Sequence, residues 1–190
     1  MKRTQRNLFI IMAAMVAFYS IVTRLPWQAA LSVAAAVLVA FIAMAIWGRD
    51  YFIGRRHTRR RDWARAVESY QRFEKKLLSA PWHRATVVLY LGIYSFDGVA
   101  ITRNNIAQSL MNAGELDRAV AWLRSALLRD PLYAAPYVNL SVIAAMRRDE
   151  ATARREMQKA VHLGFSPAAA QRILRLALEK GSQRSDERLD

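Results

Sequence analysis

The chain has no cysteine, which removes disulfides, thiolate catalysis and cysteine-ligated metals together. Its three histidines, His57, His83 and His162, are scattered, and no two stand at a metal-ligand spacing such as H-E-x-x-H. Glycine is also scarce, at seven in 190 residues, and no glycine-rich phosphate loop occurs. Nothing beside any histidine supplies a base, a nucleophile or an orienting partner, so all three are expected at the surface or in local packing. Glu68 and Glu74 are likewise expected as solvated positions. Catalysis, cofactors, metals and a small-molecule substrate are therefore not expected. Acidic residues are few as well, 15 against 29 Lys and Arg, leaving a net charge of +14. Anionic lipid and nucleic acid are the usual partners of such a balance.

What the chain does have is Ala29 to Trp47, nineteen residues without a charge. As a helix this stretch rises about 28 Å, close to the ~30 Å hydrocarbon thickness of a bilayer. It is expected to span a membrane. Ahead of it, a basic head (Lys2, Arg3, Arg6) precedes the apolar run Leu8 to Val22. A secretory signal begins the same way, but residues 23–28 offer no small-x-small cleavage site and a second apolar segment follows at once. Fifteen residues span only about 22 Å, so the first helix must borrow Asn7, Thr23 and Arg24. Pro26 helps to end it. Tyr19, Trp27, Trp47 and Tyr51 lie near the expected ends, where amphipathic rings prefer to sit. Ala13 and Ala17 opposite Ser32, Ala36 and Ala40 would let two backbones approach. A transmembrane hairpin is thus expected within residues 1–54, with helices at about 7–24 and 29–48.

Lys and Arg near the ends set orientation. Only Arg24 lies between the two helices, whereas Arg49, Arg55, Arg56, Arg59, Arg60 and Arg61 follow the second. The N-terminus and everything after Gly48 are expected in the cytoplasm. The abundance of Ala and Arg suggests a GC-rich bacterial genome, and so a bacterial inner (cytoplasmic) membrane. Residues 55–61 are expected as a basic juxtamembrane linker. Arg55, Arg56, Arg59, Arg60 and Arg61 would lie at lipid headgroups, each gaining ~1 kcal/mol near an anionic leaflet before screening. A topological role alone would require no lipid selectivity. Nucleic acid is the weaker option, since such patches bind it without specificity.

From Asp62 the period becomes that of an amphipathic helix: Trp63, Ala66, Val67, Tyr70, Phe73 and Leu77 recur at three- and four-residue steps. Thr86 to Phe96 is nearly all apolar and too short to span a bilayer; a buried helix is expected there. An acidic residue, an alanine four later and a large apolar residue four later again occur three times: Asp62-Ala66-Tyr70, Glu115-Ala119-Leu123 and Asp149-Ala153-Met157. Ile106, Ala119, Ala126 and Pro131 are matched 34 residues later by Leu140, Ala153, Ala160 and Phe165. Small alanines at such positions let helices cross closely. Gly114 turns the chain, Pro131 ends a repeat, and Ser166-Pro167 starts a last helix of about Pro167 to Lys180. Residues 181–190 have no apolar period and are expected as a mobile tail.

This period, with its central alanines, resembles the tetratricopeptide repeat (TPR). The resemblance covers residues 100–180 well and 62–99 poorly, the latter as a divergent partial repeat. Arg103 stands where Trp is common, Arg148 where Gly is common and Phe165 where Pro is common, while Ala107 and Ser141 replace the usual glycine. The resemblance implies an all-α chain in which the membrane hairpin is followed by a short TPR-like α-solenoid. It also implies a partner-binding groove lined by first helices, presenting Asn104, Gln108, Met111, Ala135, Val138, Asn139, Val142 and Met146. Some members of the family clamp a C-terminal carboxylate. Here Asn139 matches one clamp position, but Asn104 stands where lysine is needed and Ala169 and Ile173 replace the remaining basic pair, so no clamp is expected. An apolar groove with an amide rim suits a helix or an extended apolar segment. The alternative is that Val138 and Val142 are core, buried against a cap. The expected function is a membrane-anchored scaffold recruiting an unidentified protein partner. The alternative is a small structural or assembly subunit whose hairpin packs against other membrane subunits.

Overall fold

Carboxylates and left-handed residues punctuate the chain. The computed structural model describes residues 3–80, 95 and 97–186, and among them nine α-helices and no strand occur. The helices are α1 (Arg3–Val22), α2 (Trp27–Trp47), α3 (Arg49–Arg59), α4 (Trp63–Ser79), α5 (Gly98–Asn112), α6 (Leu116–Arg129), α7 (Ala134–Met146), α8 (Glu150–His162) and α9 (Pro167–Asp186). The protein is all-α, as expected. Apart from Ser95, the apolar stretch 86–96 lies outside the described residues, as do His83 and residues 187–190.

Asp62, Asp97 and Asp149 each precede a helix. They accept from the backbone N–H of Arg65 at 3.3 Å, of Val99 and Ala100 at 2.8 and 3.0 Å, and of Thr152 at 3.0 Å. These are donors that a first turn cannot satisfy internally. Helices α3, α5 and α7 end alike, with Arg61 (φ 59°), Gly114 (φ 85°) and Arg148 (φ 63°) in the left-handed region. The next residue then donates back to His57, Leu110 and Ala144 carbonyls at 3.0, 2.9 and 2.9 Å, closing each helix end. Three helix pairs result: α3–α4, α5–α6 and α7–α8. At Gly114 an added Cβ would meet nothing within 4 Å. Gly114→Ala should therefore lose only the backbone term, about 1–2 kcal/mol, read as a lower midpoint in chemical denaturation.

Successive pairs stack: α5 packs on α4 and α6, α7 on α6 and α8, and α9 lies across α7 and α8. Ala66, Ala119, Ala126, Ala153 and Ala160 are fully buried at the crossings, and Tyr70, Leu123 and Met157 fill the gaps beside them. Ser141 donates to the Ala153 carbonyl at 2.6 Å, so the hydroxyl is satisfied where the helices meet. Ser95 donates to Asp130 at 2.5 Å and Arg129 pairs with Asp97 at 2.8 Å. These contacts tie the start of α5 to the α6–α7 turn.

Residues 49–59 form one helix packed on α4, where the sequence suggested the end of a membrane segment and a linker. Tyr51 and Gly54 are buried on its inner face. A Cβ on Gly54 would lie 2.7 Å from Tyr70 Cε1, so only glycine permits this approach. Asp50 pairs with Lys76 and, at 3.5 Å, with Arg72 of α4. The far end of the array also differs, since α9 continues through Gly181 to Asp186, past the start of the expected tail.

Among the described residues one helix, α2, is long and apolar enough to cross a membrane; the apolar part of α1, Leu8–Val22, is shorter. No residue of α2 is buried within the molecule. Its last residue, Trp47, stacks edge-on against Phe73 of α4 at 5.4 Å, and Tyr51 lies 5.5 Å from the same ring. Gly48 alone separates α2 from α3. The helical array is thereby built onto the end of the apolar helix.

Candidate functional site

Residues four apart on a helix share a face, and Tyr51, Arg55 and Arg59 of α3 do so. Opposite them stand Ile101, Asn105 and Gln108 of α5. Together they wall a recess of about 550 Å³, completed by Thr58, by Tyr70 from α4, and by Tyr133 and Ala135 at the start of α7. No carboxylate among the described residues lines it. The Arg55 and Arg59 side chains are exposed and make no hydrogen bond or ion pair with another described residue. Several guanidiniums elsewhere on the array are paired: Arg72 with Glu68, Arg103 with Glu74 and Arg147 with Asp117. A second recess, about 450 Å³ between α6, α7 and α8, contains both signs, with Arg155 and Lys159 held by Glu156. The α3–α5 recess carries two unpaired guanidiniums and no carboxylate among the described residues.

Tyrosine hydroxyls supply its other polar atoms. Burial pushes the Tyr51 pKa up, against the opposing pull of the hydrogen bond from Asn105 and the charge of Arg55. Burial likewise raises Tyr70, opposed first by its hydrogen bond with Thr58 at 3.4 Å. Both phenols therefore stay protonated through neutral pH. Asn105 Nδ2 donates to the Tyr51 hydroxyl at 3.4 Å, a long contact that leaves the Tyr51 proton free to be given elsewhere. The nearby His57 is partly buried, its Nδ1 3.3 Å from Asp62 Oδ2 but without hydrogen-bond geometry.

The residues expected in a groove are distributed differently. Asn104 is buried, and its Oδ1 accepts from Asn139 Nδ2 at 2.9 Å; the two amides bond α5 to α7 instead of rimming an opening. Val138 is buried with Met157, Ala160 and Ala170. Val142 packs against the cluster of Ala144, Ala145, Ala153 and Ala177. Helix α9 thus covers both valines, as a capping helix would. Met111 is half-buried against the first core cluster, Met146 is half-buried, and Gln108 is exposed in the recess. The five collar arginines also separate. Arg55 and Arg59 line the recess, Arg56 and Arg60 are exposed away from it, and Arg61 borders a shallow hollow with Trp63 and Glu115.

Tyr51, Thr58, Ile101, Asn105 and Tyr133 were missed as site residues. A usable signal existed: the Asp62-Ala66-Tyr70 triple marks a second helix of a pair. Its first helix therefore had to lie in the preceding dozen residues, with position 51 or 55 on the inner side. Glu74, expected as solvated, is buried. It accepts from Arg103 Nε at 2.6 Å, while Arg103 also donates to the Ser125 hydroxyl at 2.7 Å and carbonyl at 3.2 Å.

No protein-family model and no curated protein matches the chain.

Proposed function

We propose that this chain is a membrane-anchored adaptor of the TPR type. In this reading α1 and α2 form a transmembrane hairpin in a bacterial inner membrane. The N-terminus and the array lie in the cytoplasm, and the array recruits a protein partner to the membrane face. One observation carries it: the Trp47–Phe73 stack builds the core of the array onto the last residue of the apolar helix, so the array is held at the surface instead of swinging on a linker. The 34-residue spacing of buried alanines and the matching left-handed turns support a TPR-like solenoid. The excess of arginine on both flanks over the single Arg24 between α1 and α2 supports the orientation.

A second reading, a small subunit of a larger membrane assembly, draws on α1. Its apolar stretch is short of a span, and Phe9, Met15 and Phe18 are exposed and would gain from packing on a neighbouring membrane helix. The expected result for the adaptor is threefold. The full chain resists alkaline carbonate extraction, its C-terminal half survives protease added outside intact cells, and its partner is still captured after residues 1–47 are exchanged for an unrelated hairpin. Loss of the partner on that exchange would favour the subunit. Digestion from outside would overturn the orientation.

A further inference from the structure

We propose that the α3–α5 recess binds the headgroup phosphate of an anionic phospholipid, gripped by Arg55 and Arg59. This rests on the reading of α2 as a membrane helix.

Position comes first. The recess begins at Tyr51, about one helical turn past Trp47, the last residue of α2. At ~1.5 Å per residue, Arg55 and Arg59 stand no more than about 12 and 18 Å along the chain from Trp47. The headgroup layer itself is roughly 5–8 Å deep on each side, and arginine stems reach across the rest. Because Trp47 is packed into the array, a bilayer holding α2 would bring the recess close to its surface.

Chemistry follows. Two guanidinium forks one turn apart match the geometry of a phosphate, which they bond in bidentate fashion. Among the described residues neither has a partner, and no carboxylate lines the recess to repel the anion. The Tyr51 hydroxyl, already accepting from Asn105, retains a proton to donate. Ile101 and Ala135 give an apolar wall against which the glycerol backbone can lie. A recess of about 550 Å³ is within the range of small-ligand sites. Arg56 and Arg60 lie outside it and contribute only non-specific attraction. An acidic protein segment would be drawn to the same charges, but at this distance from α2 lipid phosphates are the densest anions at hand.

The test uses the full chain purified in mild detergent, titrated with phosphatidylglycerol or phosphatidylcholine, with retained lipid counted by native mass spectrometry. One phosphatidylglycerol per chain is expected, and no phosphatidylcholine. R55Q/R59Q should weaken retention at least about tenfold, the loss of one or more charge-assisted contacts, while R56Q/R60Q changes it less than about twofold. R55K/R59K keeps charge and helix while removing the fork, and should also weaken retention; it decides the matter if R55Q/R59Q fails to fold by circular dichroism. Short-chain phosphatidylglycerol should compete and glycerol phosphate should compete more weakly. Equal losses in R55Q/R59Q and R56Q/R60Q would reduce the site to general electrostatics and overturn the proposal. So would Arg55- and Arg59-dependent binding of a hexaglutamate peptide with no lipid retained. Carbonate release of a chain that still binds the short-chain lipid would sink the membrane reading alone. Carbonate resistance without lipid retention would sink the site alone.

Discussion

Glu74→Leu should lower the stability of the array by about 3–5 kcal/mol, the usual result of stranding one member of a buried ion pair. Glu74 is 6% exposed on α4 and accepts from Arg103 Nε of α5 at 2.6 Å. Arg103 reaches on to the Ser125 hydroxyl of α6 at 2.7 Å. One guanidinium thus links three helices drawn from two pairs. Without Glu74 it keeps only neutral acceptors, and the desolvation of its charge goes uncompensated. Glu74→Leu with Arg103→Met should recover most of the loss, since an apolar pair of similar volume removes the charge along with its partner. Chemical denaturation of the full chain in mild detergent, followed by circular dichroism, measures both. If the single variant lost less than about 1 kcal/mol, the pair would be behaving as an ordinary surface bridge.

Phe73→Ala should cost a similar amount, about 3–5 kcal/mol, with a second consequence that stability alone does not report. The Phe73 ring is fully buried, 5.4 Å from Trp47 and 5.5 Å from Tyr51. Removing it opens a cavity where α2, α3 and α4 meet. Helix α3 is held at this end mainly by that cluster and by the Asp50 pairs to α4, so local opening should free the backbone beside its already exposed arginines for cleavage. Limited trypsin digestion is then expected to cut between residues 55 and 61 faster in Phe73→Ala than in Leu123→Ala. Leu123 is equally buried, but on α6. Equal cleavage in the two variants would mean that the joint between α2 and the array owes nothing to this ring.

Much of the architecture was legible because it depends on neighbours within a turn or two. Nineteen uncharged residues mark α2 whatever surrounds them, since a helix of that length is apolar all round. Asp62 and Asp149 begin helices because their carboxylates reach N–H groups three residues on, and Gly114 ends one because it enters the left-handed region freely. The alanines at the 34-residue period end up fully buried, because close crossing of helices tolerates nothing larger. Which side of a helix meets which distant partner is another matter. Glu74 and Arg103 are 29 positions apart and Asn104 and Asn139 are 35 apart, and no local pattern distinguishes such a pair from two solvated side chains. Whether Val138 and Val142 faced a partner or a cap depended on where α9 came to lie. The division of the arginine run into Arg55 and Arg59 inside a recess, with Arg56 and Arg60 outside, followed from the rotation of α3 against α4 and α5. That rotation is fixed by Gly54 meeting the ring of Tyr70, a contact made only once the pairs have packed.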